Sequence, residues 1–146
     1  MDASREEQAR RIQIALQHLR RSLDAASLKA AEQSITVAQM YLLYFIRQQD
    51  KCRLTQLADR FGVKPSAITV MVDRLEKAGY AKRFPDPDDR RSMLAGITPA
   101  GKEALERALR ARNEVLIGHL SRLDEAEVSV FLRLLEKFAG VTEENE

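Results

Sequence analysis

The stretch from Leu54 to Ile97 constrains the fold of this chain more than any other part of its sequence. It contains two short apolar-striped segments separated by Gly62, followed by a segment rich in Pro and Asp that ends in Arg90 and Arg91. Apolar residues spaced three and four positions apart indicate helices packed on a core, and clusters of Pro and Asp indicate a tight turn. The stretch therefore predicts two helices joined by a short turn, and then a β-hairpin.

The first of these helices is predicted to begin at Thr55, whose hydroxyl can accept a hydrogen bond from an unpaired backbone N–H of the first turn. Gly62 follows its last apolar position, where a left-handed residue commonly ends a helix. The second helix is predicted to begin at Pro65, because proline is well tolerated at the first helical position, and to end at Gly79. Its apolar stripe consists of Ile68, Met71, Val72 and Leu75.

The opposite face of the second helix has residue types that can contact DNA. Small and hydroxylated side chains near the start of a helix let its backbone approach base edges, and a Thr or Ala methyl group can meet the methyl group of thymine. Basic side chains further along the helix suit contacts to phosphates. The predicted contact residues are Lys64, Pro65, Ser66, Ala67, Thr69, Val70, Arg74 and Lys77. Taken alone, such a face is also typical of a solvated helix.

The hairpin is predicted to consist of two strands, Tyr80–Phe84 and Ser92–Ile97, around a positively charged tip. In an extended segment Asp89 and Arg91 leave the same face about 6–7 Å apart, so the carboxylate can hold the guanidinium outward. A pre-positioned arginine suits a narrow, electronegative minor groove. We therefore add Asp89, Arg90 and Arg91 to the predicted DNA contacts. The alternative is a solvated turn with an incidental surface ion pair.

In the order of these motifs, the sequence resembles the MarR family of winged helix-turn-helix transcriptional regulators. The segments that carry the resemblance are Leu54–Ala58, Val72–Tyr80, Asp86–Ser92 and Ile97–Gly101. It extends over almost the whole chain and implies a mainly α fold with a small β-wing, flanked by N- and C-terminal dimerisation helices. It also implies a homodimer on a pseudo-palindromic double-stranded DNA operator, with the recognition helix at residues 65–77 and the family's wing Asp-x-Arg pair at Asp89 and Arg91.

Members of that family often repress genes and release DNA when a small phenolic or other aromatic acid binds. The resemblance implies a ligand cavity beside the helix that Thr36 and Gln39 begin with a capping-box pattern. His18, Tyr41 and Tyr44 are candidates to line this cavity, because aromatic walls with a few polar groups suit an aromatic carboxylate. Core packing is the alternative role for these side chains.

Apolar stripes continue into both ends of the chain, as at Leu16 and Leu23. Near the C-terminus, Thr98 predicts the start of a long helix, and Asp124 with Glu127 predicts a capping box for a last helix. Such stripes pack either on the core of the same chain or on a partner chain. Binding to two DNA half-sites requires a dimer, which favours helices that pair across a two-fold axis.

Charge is distributed unevenly along the 146-residue chain. Residues 51–83 contain eight Lys/Arg against three Asp/Glu, a net +5, whereas residues 101–146 contain seven against ten, a net −3. The basic excess coincides with the predicted DNA contacts. We predict one compact domain made of an N-terminal dimerisation helix at 1–32, a winged helix-turn-helix DNA-binding region at 33–98 and C-terminal dimerisation helices at 99–146.

Sequence motifs of enzymes and of cofactor binding are absent. There is no nucleophile elbow, Gly-rich phosphate loop or metalloprotease signature, and His18 and His119 have no neighbouring ligand cluster that would predict a metal site. We therefore predict no enzyme activity, no catalytic residue, no cofactor and no metal. The sequence has no transmembrane run or signal peptide, and its polar start predicts a protein that remains in the cytoplasm without a membrane partner.

Two alternative functions remain open at this point. Cys52, the single cysteine, lies between Lys51 and Arg53, and neighbouring cations can lower the pKa of a thiol, so this residue is either an oxidant sensor or an incidental thiol. The second alternative is a winged-helix module that binds a protein partner instead of DNA. The local charge of +5 argues against that module.

Overall fold

The computed structural model describes residues 3–30 and 36–141, and within these ranges the chain is mainly helical with a small antiparallel sheet. The elements in chain order are α1 (Ala3–Ala30), α2 (Val37–Gln49), β1 (Lys51–Arg53), α3 (Leu54–Phe61), α4 (Pro65–Lys77), β2 (Ala81–Pro85), β3 (Met93–Ile97), α5 (Pro99–Leu120) and α6 (Glu125–Ala139). They form two compact units, residues 1–112 and 113–146, whose boundary falls within α5. The predicted fold class is therefore confirmed.

The helix termini mostly follow the local signals in the sequence. Thr36 and Gln39 form the predicted capping box of α2, with the Gln39 N–H donating to Thr36 Oγ1 at 3.2 Å and the Thr36 N–H donating to Gln39 Oε1 at 3.0 Å. Gly62 ends α3 in the left-handed conformation, at φ 62°. The predicted capping role of Thr55 was wrong. Arg53 is the N-cap and the helix begins at Leu54, so Thr55 lies within its first turn.

The sheet has three strands in the order β1-β3-β2, all antiparallel. The predicted hairpin corresponds to β2 and β3, each of which begins one residue later than expected. The third strand, β1, was not predicted; its three residues pair with Leu94–Gly96 of β3. We define the wing as β2, β3 and the turn Asp86–Ser92 between them. Through β1, the segment before α3 is hydrogen-bonded directly to the wing.

The core of the first unit lies where α2, α3, α4 and α5 meet the sheet. The predicted stripe of α4 is confirmed, since Ile68, Val72 and Leu75 are fully buried and Met71 is half-buried. Further large side chains of this core are Leu42, Leu43, Ile46, Leu57 and Leu105. One face of α4 is thereby fixed to the protein, so its opposite face is presented to solvent.

The second unit consists of the end of α5 and all of α6. Asp124 and Glu127 form the predicted capping box of α6: the Glu127 N–H donates to Asp124 Oδ1 at 2.8 Å, and the Asp124 N–H donates to Glu127 Oε2 at 2.9 Å. No residue of α6 is buried in the single chain. Its exposed large apolar residues are Val130, Phe131, Leu132, Leu134, Leu135 and Phe138. An apolar helix face of this extent is available for a partner.

Candidate nucleic-acid interface

The outward face of α4 brings together most of the residues predicted to contact DNA. Lys64 precedes the helix in an extended conformation and Pro65 is its first residue, as predicted. The exposed residues of this segment are Lys64, Pro65, Ser66, Ala67, Val70, Arg74 and Lys77. Thr69 is half-buried, and its hydroxyl donates to the Pro65 carbonyl oxygen at 3.1 Å. The face therefore begins with small side chains and ends with two cations.

Arg83 of β2 is paired with both acidic residues of α4. Its guanidinium lies 2.6 Å from Asp73 Oδ1 and 3.2 Å from Glu76 Oε1, and its backbone N–H donates to Glu76 Oε2 at 3.0 Å. These backbone and side-chain hydrogen bonds lower the pKa of Glu76. Arg83 therefore joins the helix to the wing and offsets part of the negative charge that would repel phosphates.

A buried carboxylate holds the root of the wing turn. The side chain of Asp86 is 2% exposed, and its Oδ2 accepts a hydrogen bond from Arg53 Nε at 2.7 Å. Its Oδ1 accepts from the Asp88 N–H at 2.9 Å, and its own N–H donates to the Ser92 carbonyl oxygen at 3.2 Å. The hydrogen bond from the Asp88 N–H and the pairing with Arg53 lower the pKa of Asp86, although burial opposes them.

Sequence reasoning missed the pair of Arg53 and Asp86. Asp86 was interpreted as one of several turn residues and Arg53 as a neighbour of the cysteine. The residues are 33 positions apart, and they meet only because β1 joins the sheet beside β3. The one available signal was the clustering of Asp with Pro, which predicted a turn but gave no partner for the carboxylate.

The predicted brace between Asp89 and Arg91 was wrong in its geometry. These residues lie in a turn and not in an extended strand, and Asp89 Oδ1 accepts a hydrogen bond from the backbone N–H of Arg91 at 2.9 Å. The carboxylate therefore stabilises the turn and is not paired with the guanidinium. Arg90 and Arg91 are both exposed at the tip of the wing. At this position their charges are accessible to a groove of DNA.

A cleft of about 290 Å³ separates the start of α3 from the tip of the wing. Arg53, Thr55, Asp89 and Arg91 are among the residues that line it. The guanidinium of Arg91 and the hydroxyl of Thr55 therefore lie in one cleft with the Asp89 carboxylate and with Arg53, which is paired with Asp86. This arrangement can take phosphate oxygens, because arginine side chains and hydroxyl groups commonly contact the DNA backbone.

A second groove, of about 250 Å³, lies between α2 and α5 within the first unit. It is lined by Met40, Tyr41, Tyr44, Leu105, Leu109 and Arg112. The Arg112 guanidinium donates to Asp24 Oδ1 at 2.8 Å and to the Tyr41 hydroxyl at 3.1 Å. The structure thus brings together two of the three predicted ligand-lining residues, Tyr41 and Tyr44. His18 is exposed on α1 and does not line this groove.

Arg112 was missed as a residue of the α2–α5 groove. Its spacing from Leu105 and Leu109 on α5 follows the helical repeat and places all three on one face. That spacing was the signal that could have identified it. An arginine among apolar and aromatic walls gives the groove one strong donor for a carboxylate.

Burial of Cys52 favours the incidental thiol over the alternative of an oxidant sensor. The side chain is 2% exposed, and burial raises the pKa of its thiol. Its Sγ lies 3.6 Å from Gln56 Oε1 and from the Arg53 carbonyl oxygen. The flanking cations of β1 therefore do not activate the thiol as the sequence suggested. A buried, protonated thiol reacts slowly with oxidants.

Neither a metal site nor a membrane span is found in the described part of the chain. Within residues 3–30 and 36–141, no three or more His, Cys, Asp or Glu side chains are grouped so that they could bind a metal ion. None of the helices in that part of the chain has the length and apolar character needed to cross a membrane.

Comparisons with known proteins agree on the family of this chain. A model of the MarR family matches residues 35–93. The HTH-type transcriptional repressor MdtR of Bacillus subtilis is 32% identical over 136 residues, which are 92% of this chain and 88% of the relative.

Solved structures that are similar include the YusO protein from Bacillus subtilis, with a TM-score of 0.76 and 29% identity over 97% of this chain and 100% of that one. Wild-type apo MarR from E. coli has a TM-score of 0.77 and 29% identity, covering 89% and 94% of the two chains. A mutant of E. coli MarR complexed with operator DNA has a TM-score of 0.67 and 28% identity, covering 94% and 99%.

Proposed function

The chain belongs to the MarR family of transcriptional regulators, and on that premise we propose that it is a homodimeric repressor that binds a pseudo-palindromic operator and is released by a small ligand. Proteins of this family are transcriptional regulators and not enzymes, as the sequence predicted for this chain. We further propose that it acts on double-stranded DNA in the cytoplasm.

The observation that carries DNA binding is the exposed face of α4 beside the wing. Its small residues lie at the start of the helix, while Lys64, Arg74 and Lys77 are exposed around them. Arg90 and Arg91 are exposed at the wing tip. We propose that α4 enters the major groove and that the wing tip approaches the adjacent minor groove. The structural similarity to the E. coli protein complexed with operator DNA supports this arrangement.

The proposed dimer rests on apolar faces at both ends of the chain. In α1, Ile12, Ile14 and Leu16 are exposed, and α6 exposes a larger set that includes Phe131 and Phe138. We propose that segments 1–32 and 99–146 pair with a second copy, and that segment 33–98 binds DNA. Two copies of α4 would then meet half-sites about one helical turn apart, roughly 10–10.5 base pairs from centre to centre.

The proposed ligand site is the groove between α2 and α5. Tyr41 and Tyr44 provide aromatic walls, and Arg112 provides a cation that is paired with Asp24 in the free protein. A small aromatic acid suits such a groove, because its ring can pack on the tyrosines and its carboxylate can accept from the guanidinium.

Binding of fluorescent duplex DNA as a function of salt tests the core of the proposal. If the dimer neutralises six to ten phosphates, the affinity should fall about 10³- to 10⁵-fold between 50 and 200 mM salt. Light scattering on the same sample should give twice the mass of the chain. A protein that binds no duplex at low salt would instead be a protein-interaction module, and a monomer under the binding conditions would contradict the paired half-sites.

A further inference from the structure

The exposed face of α4 contains an apolar residue that the fold of this chain does not use. Val70 is 50% exposed, although Ile68, Val72 and Leu75 on the other side of the same helix are fully buried. A β-branched residue also has a lower helix propensity than the straight-chain or alanine alternatives. In the free protein Val70 therefore lowers the helix propensity of its position, and about half of its side chain gains nothing from burial.

The neighbours of Val70 give this part of the helix an apolar character. Ala67 lies one turn earlier and is exposed, so its methyl group is adjacent to Val70 on the helix surface. The hydroxyl of Thr69 donates to the Pro65 carbonyl oxygen, which removes its donor from the surface. The carboxylate of Asp73 is paired with Arg83 at 2.6 Å. The methyl groups of Ala67 and Val70 are therefore neighbours in the middle of the exposed face.

On the basis of the proposed DNA binding, we propose that Val70 contacts the 5-methyl group of a thymine in the major groove and so specifies an A·T pair in each half-site. Thymine is the only standard base with a methyl group in that groove. The cations at Lys64, Arg74 and Lys77 are exposed around Val70 and Ala67. They would hold the phosphates on either side, while the two apolar side chains meet the base edge.

The first part of the test identifies the thymine. Duplexes selected from a random pool with the full-length protein should be enriched in an A·T pair at one position of each half-site. Each thymine of a selected duplex is then replaced singly by deoxyuridine, which differs only in lacking the 5-methyl group. At the position that Val70 contacts, the replacement should raise Kd about fourfold per half-site, since roughly 0.8 kcal/mol for a buried methyl-sized group corresponds to that factor at about 1.4 kcal/mol per tenfold change.

The second part assigns the effect to Val70. In Val70→Ala the preference for thymine over deoxyuridine at that position should fall close to one. Val63→Ala is the matched control, because Val63 is also exposed, at 40%, but lies in the turn before α4; it should keep the full fourfold preference. Alanine at an exposed helical position favours folding, and the melting temperature of each variant verifies that the fold is retained.

The outcomes separate this inference from the proposed function. If the protein binds selected duplexes but no thymine is distinguished from deoxyuridine, or if Val70→Ala keeps the full preference, the assignment of Val70 is overturned while DNA binding stands. If no duplex is bound at low salt, the proposed function fails and this inference fails with it.

Discussion

Arg53 and Asp86 form an ion pair of 2.7 Å between Nε and Oδ2 that connects the strand before α3 to the root of the wing turn. The carboxylate is almost fully buried, while the guanidinium is partly exposed. The other carboxylate oxygen of Asp86 accepts a hydrogen bond from the backbone N–H of Asp88. One side chain therefore fixes both the conformation of the turn and its position relative to the helix-turn-helix.

Asp86→Asn should weaken operator binding, because the turn that presents Arg90 and Arg91 loses its link to Arg53. Amide hydrogen exchange in residues 86–92 should become faster, while exchange in α4 should stay unchanged. Asp88→Asn is the matched control, since it removes the same charge from the same turn and leaves the pair intact. It should leave operator affinity unchanged or raise it, because one negative charge fewer faces the phosphates. Equal losses in the two variants would contradict a positioning role for Asp86.

The contact between Glu76 and Arg83 should make stability depend on pH in the acidic range. The pKa of Glu76 in the folded protein lies below its ordinary value of 4.5, so the unfolded chain binds more protons as the pH falls. The stabilisation is complete above pH 4.5 and is lost as the pH falls through the folded pKa. We expect Glu76→Gln to melt below the wild-type protein at pH 7, and the difference to shrink below about pH 4.5. A constant difference from pH 7 to pH 3 would contradict this role.

The predictable part of this fold depends on local signals. Capping at Thr36 and Asp124, the left-handed Gly62 and the helical start at Pro65 each require only a few neighbouring residues, and all four are confirmed. The apolar stripe of α4 was predictable for the same reason, because its periodicity is strong over a full helix. These features were sufficient to place the exposed face of α4.

The features that the sequence did not reveal depend on contacts between distant segments. A strand of three residues, such as β1, is too short for a periodic pattern, so neither its pairing with β3 nor the Arg53–Asp86 pair could be inferred. The same strand buries Cys52, which reverses the expected direction of its pKa shift. At the wing tip, the Asp89 carboxylate was expected to pair with the Arg91 guanidinium. It accepts a hydrogen bond from the backbone N–H of Arg91 instead, because a turn leaves backbone N–H groups that need acceptors.

Arg91→Ala and Arg74→Ala should weaken DNA binding in different ways. At the wing tip, loss of Arg91 should cost on the order of 1–3 kcal/mol for the selected operator, with the dimer intact. Loss of Arg74, which we expect to contact a phosphate, should weaken all sequences about equally and lower the salt slope by about 1. Titrations of both variants with operator and with unrelated duplex measure these effects. Unchanged affinity in Arg91→Ala would remove the wing from the mechanism, and a loss confined to the operator in Arg74→Ala would contradict a phosphate contact.

Asp50 has a backbone conformation that glycine adopts more easily. It follows α2 at φ 62° and ψ −62°, and it is the one residue other than glycine with positive φ in the described part of the chain. Such a conformation costs on the order of 1–3 kcal/mol for a residue with a Cβ atom. Asp50→Gly should therefore stabilise the protein by about 1 kcal/mol, after the entropy that glycine adds to the unfolded chain. Asp50→Ala, which removes the carboxylate but keeps the Cβ, should give no such gain in urea unfolding.

Gly101 lets the first turn of α5 pack against the end of the helix-turn-helix. A Cβ at this position would overlap the backbone carbonyl of Tyr80 and would lie 2.9 Å from Ile97 Cγ1. The Gly101 N–H donates to Thr98 Oγ1, whose hydroxyl donates to the Gly79 carbonyl oxygen. Since the backbone cannot move aside without breaking these hydrogen bonds, Gly101→Ala should destabilise the protein by about 1–3 kcal/mol.

Gly118→Ala on the same helix is the control. A Cβ at Gly118 meets nothing within 4 Å, so this substitution should stabilise the protein by about 0.5–1 kcal/mol. Urea unfolding at one fixed protein concentration compares the two variants. A stabilising Gly101→Ala would mean that α5 does not approach Tyr80 this closely.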